Sequence, residues 1–144
     1  MRRTKKTMKQ ALLFGLLWPS VACGQAVKAP VLWFGAAGGT GVQAQLIDFA
    51  PDMLGPYCGH SQQATVLQFR VLAAQGPRRA GDTLLVVIPC ARESKALFVN
   101  GAAYGLRLHE LATDPEWQQG WALTSRYEQR AWTRWWCRGM TRVE

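Results

Sequence analysis

Residues 62–90, QQATVLQFRVLAAQGPRRAGDTLLVVIPC, contain two apolar runs separated by a segment rich in glycine, proline and arginine. In the first run apolar and polar side chains alternate, with Leu67 and Phe69 on one side and Gln68 on the other. That period of two is typical of a half-buried strand. The second run, residues 83–90, is almost wholly apolar and β-branched, which predicts a strand buried on both faces. Together the two runs predict an antiparallel pair joined by a turn.

Other short apolar segments flank this pair, at residues 31–34, 42–49, 96–99 and 102–108. The last two enclose Asn100-Gly101, a dipeptide that tolerates the positive φ angles of a type I′ hairpin turn. Five or six strands with little helix favour a small barrel or sandwich, and closure into a barrel removes exposed sheet edges. The predicted core consists of apolar strand residues: Leu67, Phe69, Val71, Leu85, Val87, Tyr104 and Leu106.

A family resemblance is carried by strand and turn residues between positions 57 and 108. They are Tyr57, Cys58, Gly59, Val66, Phe69, Val71, residues 81–87, Cys90, Gly101, Tyr104, Leu106 and Leu108. This set resembles small exported OB-fold-like proteins, which are distantly similar to netrin-type modules. The resemblance implies a mainly β fold, a small antiparallel OB-like barrel with a short C-terminal helix or strand. Netrin-type modules begin with a cysteine and bind through their N-terminal segment and adjoining loops, but no residue here matches a functional residue of theirs.

The N-terminus has the features of a secretory signal peptide. Five basic residues precede an apolar run, residues 11–18, that is far too short to span a bilayer and is followed by small residues. We therefore predict a signal peptide, residues 1–26, and a single β-barrel domain, residues 27–144, in the periplasm or outside the cell. Without the leader, 12 basic residues face nine acidic ones, and this net charge of +3 rather than +8 gives little support to nucleic-acid binding.

Cys23 has three alternative fates. Cleavage after Ala22 makes Cys23 the first mature residue, whereas cleavage after Ala26 removes it. Residues 21–24, VACG, also resemble a bacterial lipobox, which would place a lipid on Cys23 and attach the protein to the outer membrane. The sequence leaves these alternatives open.

The remaining cysteines are candidates for disulfide bonds, because an exported chain meets an oxidising environment. Cys58 precedes the first strand of the central pair and Cys90 ends the second. Since those two ends meet in an antiparallel pair, we predict a bridge between Cys58 and Cys90. Cys137 then pairs with Cys23, where that residue is retained, or stays free.

A glycine-rich segment could suggest a nucleotide cofactor. Residues 31–41 carry glycines at 35, 38 and 41 and resemble the strand and turn of extended short-chain dehydrogenases. Pro51 would end the following helix early, and the chain is too short for a doubly wound sheet. We therefore predict no cofactor.

Candidate catalytic and metal-binding residues are few. Cys58, His60 and Ser61 are neighbours in sequence, but a nucleophile and its base usually come from separate elements. The only other histidine is His109, and no metal-ligand spacing is present. We predict no catalytic and no metal residue, and the alternative is a small enzyme that uses Cys58 and His60.

The C-terminal segment, residues 125–138, is compatible with a helix or a strand. Ser125 and Glu128 match a capping box, and a helix would separate arginines from tryptophans in a form suited to a membrane interface. Two alternatives are that the tryptophan face of the helix packs against the barrel, which we favour over membrane contact, and that residues 133–143 form the last strand. In either case the candidate interaction surface is Trp132, Trp135, Trp136, Arg130 and Arg134.

The function predicted from these features is that of an exported, non-enzymatic binding or interaction module of the bacterial envelope or secretome. Its partner would be a protein, a glycan or another envelope component, and not a nucleic acid. A membrane-attached lipoprotein with a structural role is the alternative, besides the small Cys/His enzyme.

Overall fold

The computed structural model describes residues 31–33, 39–59, 61–73, 76–127 and 132–143, which form a mainly β fold. The strands are β1 (Val31–Trp33), β2 (Thr40–Asp48), β3 (Gln63–Val71), β4 (Thr83–Pro89), β5 (Ala103–Glu110), β6 (Ala122–Thr124) and β7 (Arg134–Val143). Short 3₁₀ helices in the connections span Pro51–Met53, Ala91–Leu97, Leu111–Thr113 and Trp117–Gln119. The predicted signal peptide and Cys23 lie outside the described residues.

The central antiparallel pair is present. β3 and β4 pair from Ala64 opposite Pro89 to Arg70 opposite Thr83. Every residue from Leu84 to Ile88 is buried, as expected for a strand covered on both faces. The prediction from residues 62–90 is therefore confirmed.

All seven strands belong to one mixed sheet rather than to the antiparallel sheet that was expected. The hydrogen-bonded order is β1-β7-β4-β3-β2-β5, and β5 also pairs with β7, so five of the strands form a ring of pairings. Neighbours cannot all alternate in direction around a ring with an odd number of strands. One pair must be parallel, and it is β4 with β7. The short strand β6 adds a second parallel pairing, beside β3.

One face of the sheet carries the central core. Leu46 lies opposite Phe69 in the register of β2 and β3, and the Phe69 ring meets the Tyr104 ring edge-on, with centroids 5.9 Å apart. Every residue predicted for the core is at most 1% exposed. The predicted core residues are therefore confirmed as buried.

The opposite face of β3, β4 and β7 is buried as well. The register aligns Val66, Val87 and Trp136 across these three strands, so their side chains lie on one face of the sheet. Leu67 and Val86 lie on the other face. Trp117 and Trp121, from the connection between β5 and β7, pack on Trp136. Leu85 and Val87 alternate to the same side of β4, so both belong to this second layer and not to the central core.

Residues 96–99 do not form the strand that was expected. The chain leaves the sheet at Cys90, which has a left-handed conformation with φ of 48°, and continues as the 3₁₀ helix Ala91–Leu97. The Asn100-Gly101 turn is present, with Gly101 at φ of 81°, but Asn100 does not have the positive φ of a type I′ turn. The turn instead pairs with the end of β2, where the Gly101 N–H donates to the Leu46 carbonyl at 2.8 Å.

The C-terminal segment is a strand from residue 134 onward, so the helix alternative is wrong there. Because β7 lies between β4 and β5, its backbone groups complete the pairings on both sides. The Ser125 hydroxyl accepts a hydrogen bond from the Tyr127 N–H at 2.9 Å, while Glu128 lies outside the described residues.

Candidate functional site

The connection between β5 and β7 is held in place by Asp114, a fully buried carboxylate. Its Oδ1 accepts the N–H of Glu116 at 2.8 Å and the N–H of Trp117 at 3.4 Å. A short acidic side chain that accepts backbone N–H groups two and three residues ahead fixes the start of a helical turn. Asp114 therefore sets the position of the 3₁₀ helix Trp117–Gln119.

The second oxygen of Asp114 faces the sheet. Arg138 Nε donates to Asp114 Oδ2 at 2.9 Å, which makes a buried ion pair. In the pairing of β5 with β7, Leu108 lies opposite Cys137 and Arg107 opposite Gly139, so Arg138 is the extra residue of a β-bulge. Since a bulge re-aims the side chain of its extra residue, this irregularity directs Arg138 to the carboxylate.

His109 lies beside the same carboxylate. Its Nδ1 is 3.2 Å from Asp114 Oδ2, but the ring N–H does not point along that line, so the contact is not a well-formed hydrogen bond. A histidine next to a carboxylate can act as an oriented base. However, no hydroxyl or thiol of the described residues forms a hydrogen bond with His109, and the carboxylate already holds Arg138. The contacts around Asp114 therefore indicate a positioning role.

Tryptophans fix the connection from the other side. The Trp136 ring lies 5.9 Å from Trp117 and 5.1 Å from Trp121, measured between ring centroids. The indole N–H of Trp136 donates to Glu116 Oε2 at 3.1 Å, which satisfies the polar end of a fully buried ring. The connection is consequently attached to the sheet by both ring packing and hydrogen bonds.

A cavity of about 440 Å³ opens at the edge of this connection. Its lining residues are Glu110, Leu111, Ala112, Trp117, Thr133 and Arg134. They offer an indole, a carboxylate, a guanidinium and a hydroxyl, which is the mixture of one apolar surface and a few polar groups that ligand sites use. Asp114-Pro115, a dipeptide that favours turn initiation, was the available sequence signal for this region.

The structure separates the residues of the predicted interaction surface. Trp132 is 43% exposed, whereas Trp136 is fully buried and so belongs to the second layer. Arg134 is partly buried, lines the cavity and donates to the Tyr127 carbonyl at 3.4 Å. Trp135 is partly buried beneath another side chain, Arg78, and Arg130 lies outside the described residues.

Arg78, in the turn between β3 and β4, is 6% exposed, an unusual burial for a charged side chain. Its guanidinium carbon lies 4.1 Å from the centroid of the Trp135 ring. Burial lowers the pKa of Arg78, and its Nε has no hydrogen-bond acceptor in the described part of the chain. A cation–π contact contributes about 0.5–2 kcal/mol, whereas removing an ion from water costs several kcal/mol. Sequence reasoning missed Arg78, because arginine in a turn is usually solvated.

The predicted bridge between Cys58 and Cys90 is present, with Cα atoms 5.4 Å apart. The Cys58 N–H donates to Glu93 Oε1 at 2.5 Å, and a cavity of about 300 Å³ lies beside the bridge. Cys58, Cys90 and Glu93 are the one group of three potential metal ligands in the described segments, but both sulfur atoms are used by the disulfide. A bridged Cys58 is not a resting nucleophile, and His60 lies outside the described residues.

Cys137 is the free cysteine of the described residues. It is fully buried, and this burial raises the pKa of its thiol from 9.0 to about 12. At neutral pH the thiolate, which is the reactive form, is therefore scarce. Cys137 acts as a core residue rather than as a nucleophile.

Removing the disulfide is expected to destabilise the fold. The bridge closes a loop across a sequence separation of 32 residues, so reduction or Cys90→Ser should lower the free energy of unfolding by about 3–4 kcal/mol. Thermal unfolding with and without reductant measures the effect. Iodoacetamide should leave Cys58 and Cys137 unmodified in the oxidised, folded protein. Rapid alkylation of Cys58, with no change in melting temperature on reduction, would contradict the bridge.

Comparison with known proteins identifies no relative of this chain, since no family model, curated protein or solved structure matches it. Within the described residues, no helix is long and apolar enough to cross a membrane. The chemistry of the chain's own residues is therefore the basis for assigning a function.

Proposed function

We propose that this chain is an exported, non-enzymatic binding module of the bacterial envelope or secretome, built on a barrel of the OB type. The connectivity supports the barrel. β2, β3 and β4 follow one another as antiparallel neighbours, and β5 returns to pair with β2, which is the Greek-key order. β7 then lies between β4 and β5 and completes a ring of five strands, the number found in OB barrels.

The ligand site of this module is the cavity at the β5–β7 connection. OB folds use the outer face of their second and third strands together with the adjoining loops. In this chain the corresponding face, on β3 and β4, is covered by the layer that contains Trp136, Trp117 and Trp121. Because this layer covers the face that OB folds use, the proposal assigns binding to the loops.

A glycan is the ligand that the cavity favours. Trp117 presents an indole on which the apolar face of a sugar ring can pack, and Glu110, Thr133 and Arg134 offer partners for sugar hydroxyl groups. The observation that carries the proposal is the fixed position of Trp117, which Asp114 and Trp136 hold at the cavity. Binding sites use such rigid aromatic side chains because little entropy is lost on association.

The experiment is co-sedimentation of the purified mature protein with insoluble peptidoglycan sacculi. We expect Trp117→Ala to reduce the bound fraction by about tenfold, because the stacking surface is lost. Arg134→Gln, which leaves the tryptophan packing intact, should reduce it by about threefold. Trp132→Ala is the matched control, since Trp132 is exposed and does not line the cavity, and it should bind like the wild type.

Three results would contradict the proposal. They are failure of the wild type to sediment, equal losses in Trp117→Ala and Trp132→Ala, and release of soluble fragments from the sacculi, which would indicate an enzyme. Unfolding midpoints of each variant separate loss of binding from loss of fold.

Export is part of the same proposal, and the disulfide supports it because such bridges persist in oxidising compartments. A lipid on Cys23 would add an anchor without changing the site. The mass of the N-terminal peptide of the mature protein distinguishes cleavage after Ala22, cleavage after Ala26 and lipidation of Cys23.

A further inference from the structure

The burial of Arg78 is not explained by a contribution to stability, because its contacts do not compensate for removing a charged group from water. Arg78 is 6% exposed, its guanidinium lies over the face of the Trp135 ring, and its Nε has no acceptor among the described residues. Guanidinium groups carry five N–H donors and are nearly always matched with carboxylates, phosphates or carbonyl oxygens when they are buried. Nε is itself buried, but no hydrogen bond or ion pair of the described residues uses the terminal N–H groups of Arg78, so these donors remain available to an acceptor from outside the described chain.

The guanidinium charge of Arg78 is not paired within its own turn. Arg79, the next residue, is a second cation and is exposed. Asp82 is the acidic residue of that turn, and its Oδ2 accepts the Arg79 N–H at 2.7 Å. Glu110 lies opposite Trp135 in the pairing of β5 with β7, but it forms no ion pair with Arg78 within 4.0 Å. In the described residues, the Arg78 guanidinium has no carboxylate partner.

We propose that Arg78, stacked on Trp135, binds a phosphate group at the end of the sheet where the β3–β4 turn meets the start of β7. The Trp135 ring packs 4.1 Å from the guanidinium carbon and so restricts the position of the group before the ligand arrives. Phosphate fits better than a carboxylate because it has more acceptor oxygens for the unused donors and a higher charge for the unpaired guanidinium. The phosphate is inorganic or belongs to a lipid headgroup, and neither Arg78 nor Trp135 lines the cavity at the β5–β7 connection.

The test compares Arg78→Met with Arg79→Met, two variants that remove the same charge at adjacent positions. Binding is measured by isothermal titration calorimetry with sodium phosphate, and with sodium chloride and sodium acetate at matched ionic strength. We expect Arg78→Met to weaken phosphate binding at least about tenfold, because it removes the oriented donors. Arg79→Met should weaken binding by no more than about threefold, since water and salt screen the interaction of an exposed charge with the ligand.

Arg78→Lys separates the effect of donor geometry from the effect of net charge, because this variant leaves the net charge unchanged. It keeps the charge but loses the planar arrangement of donors, so phosphate binding should still fall by about fivefold or more. Co-sedimentation with vesicles of phosphatidylglycerol, compared with vesicles of sulfoquinovosyl diacylglycerol, an anionic lipid that lacks a phosphate, then distinguishes the two sources. Vesicle binding that depends on Arg78 identifies the lipid headgroup, and binding of inorganic phosphate alone identifies the free ion.

The proposal is overturned if phosphate binds no better than chloride, if acetate binds as well as phosphate, or if the two methionine variants lose the same affinity. Because Arg78→Lys retains the charge and most of the side-chain volume, it keeps the test decisive even if Arg78→Met unfolds.

Discussion

Replacement of Asp114 by alanine is expected to lower the free energy of unfolding by about 3–5 kcal/mol, the range for breaking a buried ion pair by removing one partner. The change removes the Oδ2 atom that Arg138 Nε contacts and the Oδ1 atom that accepts the N–H groups of both Glu116 and Trp117. The start of the 3₁₀ helix is then no longer fixed, and its tryptophan moves relative to the sheet. Urea unfolding, followed by tryptophan fluorescence, measures the loss.

The control for this variant is Asp52→Ala. Asp52 forms an ion pair with Arg126, but both side chains are exposed. Exposed pairs contribute little, so the free energy of unfolding should fall by less than about 1 kcal/mol. Similar losses in the two variants would show that Asp114 does not have the structural role inferred for it.

Replacement of Phe69 by alanine is expected to cost about 3–5 kcal/mol, the range for truncating a buried aromatic ring. Phe69 is fully buried, lies opposite Leu46 and meets the Tyr104 ring edge-on. Since small domains have a total stability of about 5–15 kcal/mol, this variant should be largely destabilised at 37 °C. Its midpoint in urea and its far-UV spectrum measure the effect.

Leu72→Ala is the matched control for Phe69, because Leu72 directly follows the same strand but is exposed. A surface truncation of this kind changes stability by about 0.5 kcal/mol or less. If Leu72→Ala cost as much as Phe69→Ala, the assignment of the two faces of β3 would be wrong.

The strands of the central pair could be predicted because the physical signal is local. Alternation around Phe69 follows from the two faces of one strand, and an apolar run such as residues 83–90 requires cover on both faces whatever the neighbours are. The bridge between Cys58 and Cys90 followed from the same pairing, since it joins two strand ends that meet. The prediction of a strand at residues 96–99 was wrong, because the backbone conformation of Cys90 turns the chain out of the sheet.

The candidate site could not be predicted in the same way, because its residues meet through long-range register. Asp114 and Arg138 are 24 positions apart and come together only because a β-bulge in β7 re-aims the arginine. Trp136 lines the second layer because Val87 is its neighbour in the parallel pairing of β4 and β7. No local pattern in residues 111–138 specifies either contact.

The sequence by itself determined the β class, the central pair of strands, the buried residues of the core and the disulfide, since each depends on side-chain periodicity or on the ends of adjacent strands. Only the tertiary structure decided which strands are parallel, because a ring of five strands must contain a parallel pair and the chain's path selects β4 with β7. It also decided that Trp136 is buried, that Trp132 is exposed and that Arg78 stacks on Trp135. These outcomes depend on which segments cover each face of the sheet, and that is a property of the assembled fold rather than of any single segment.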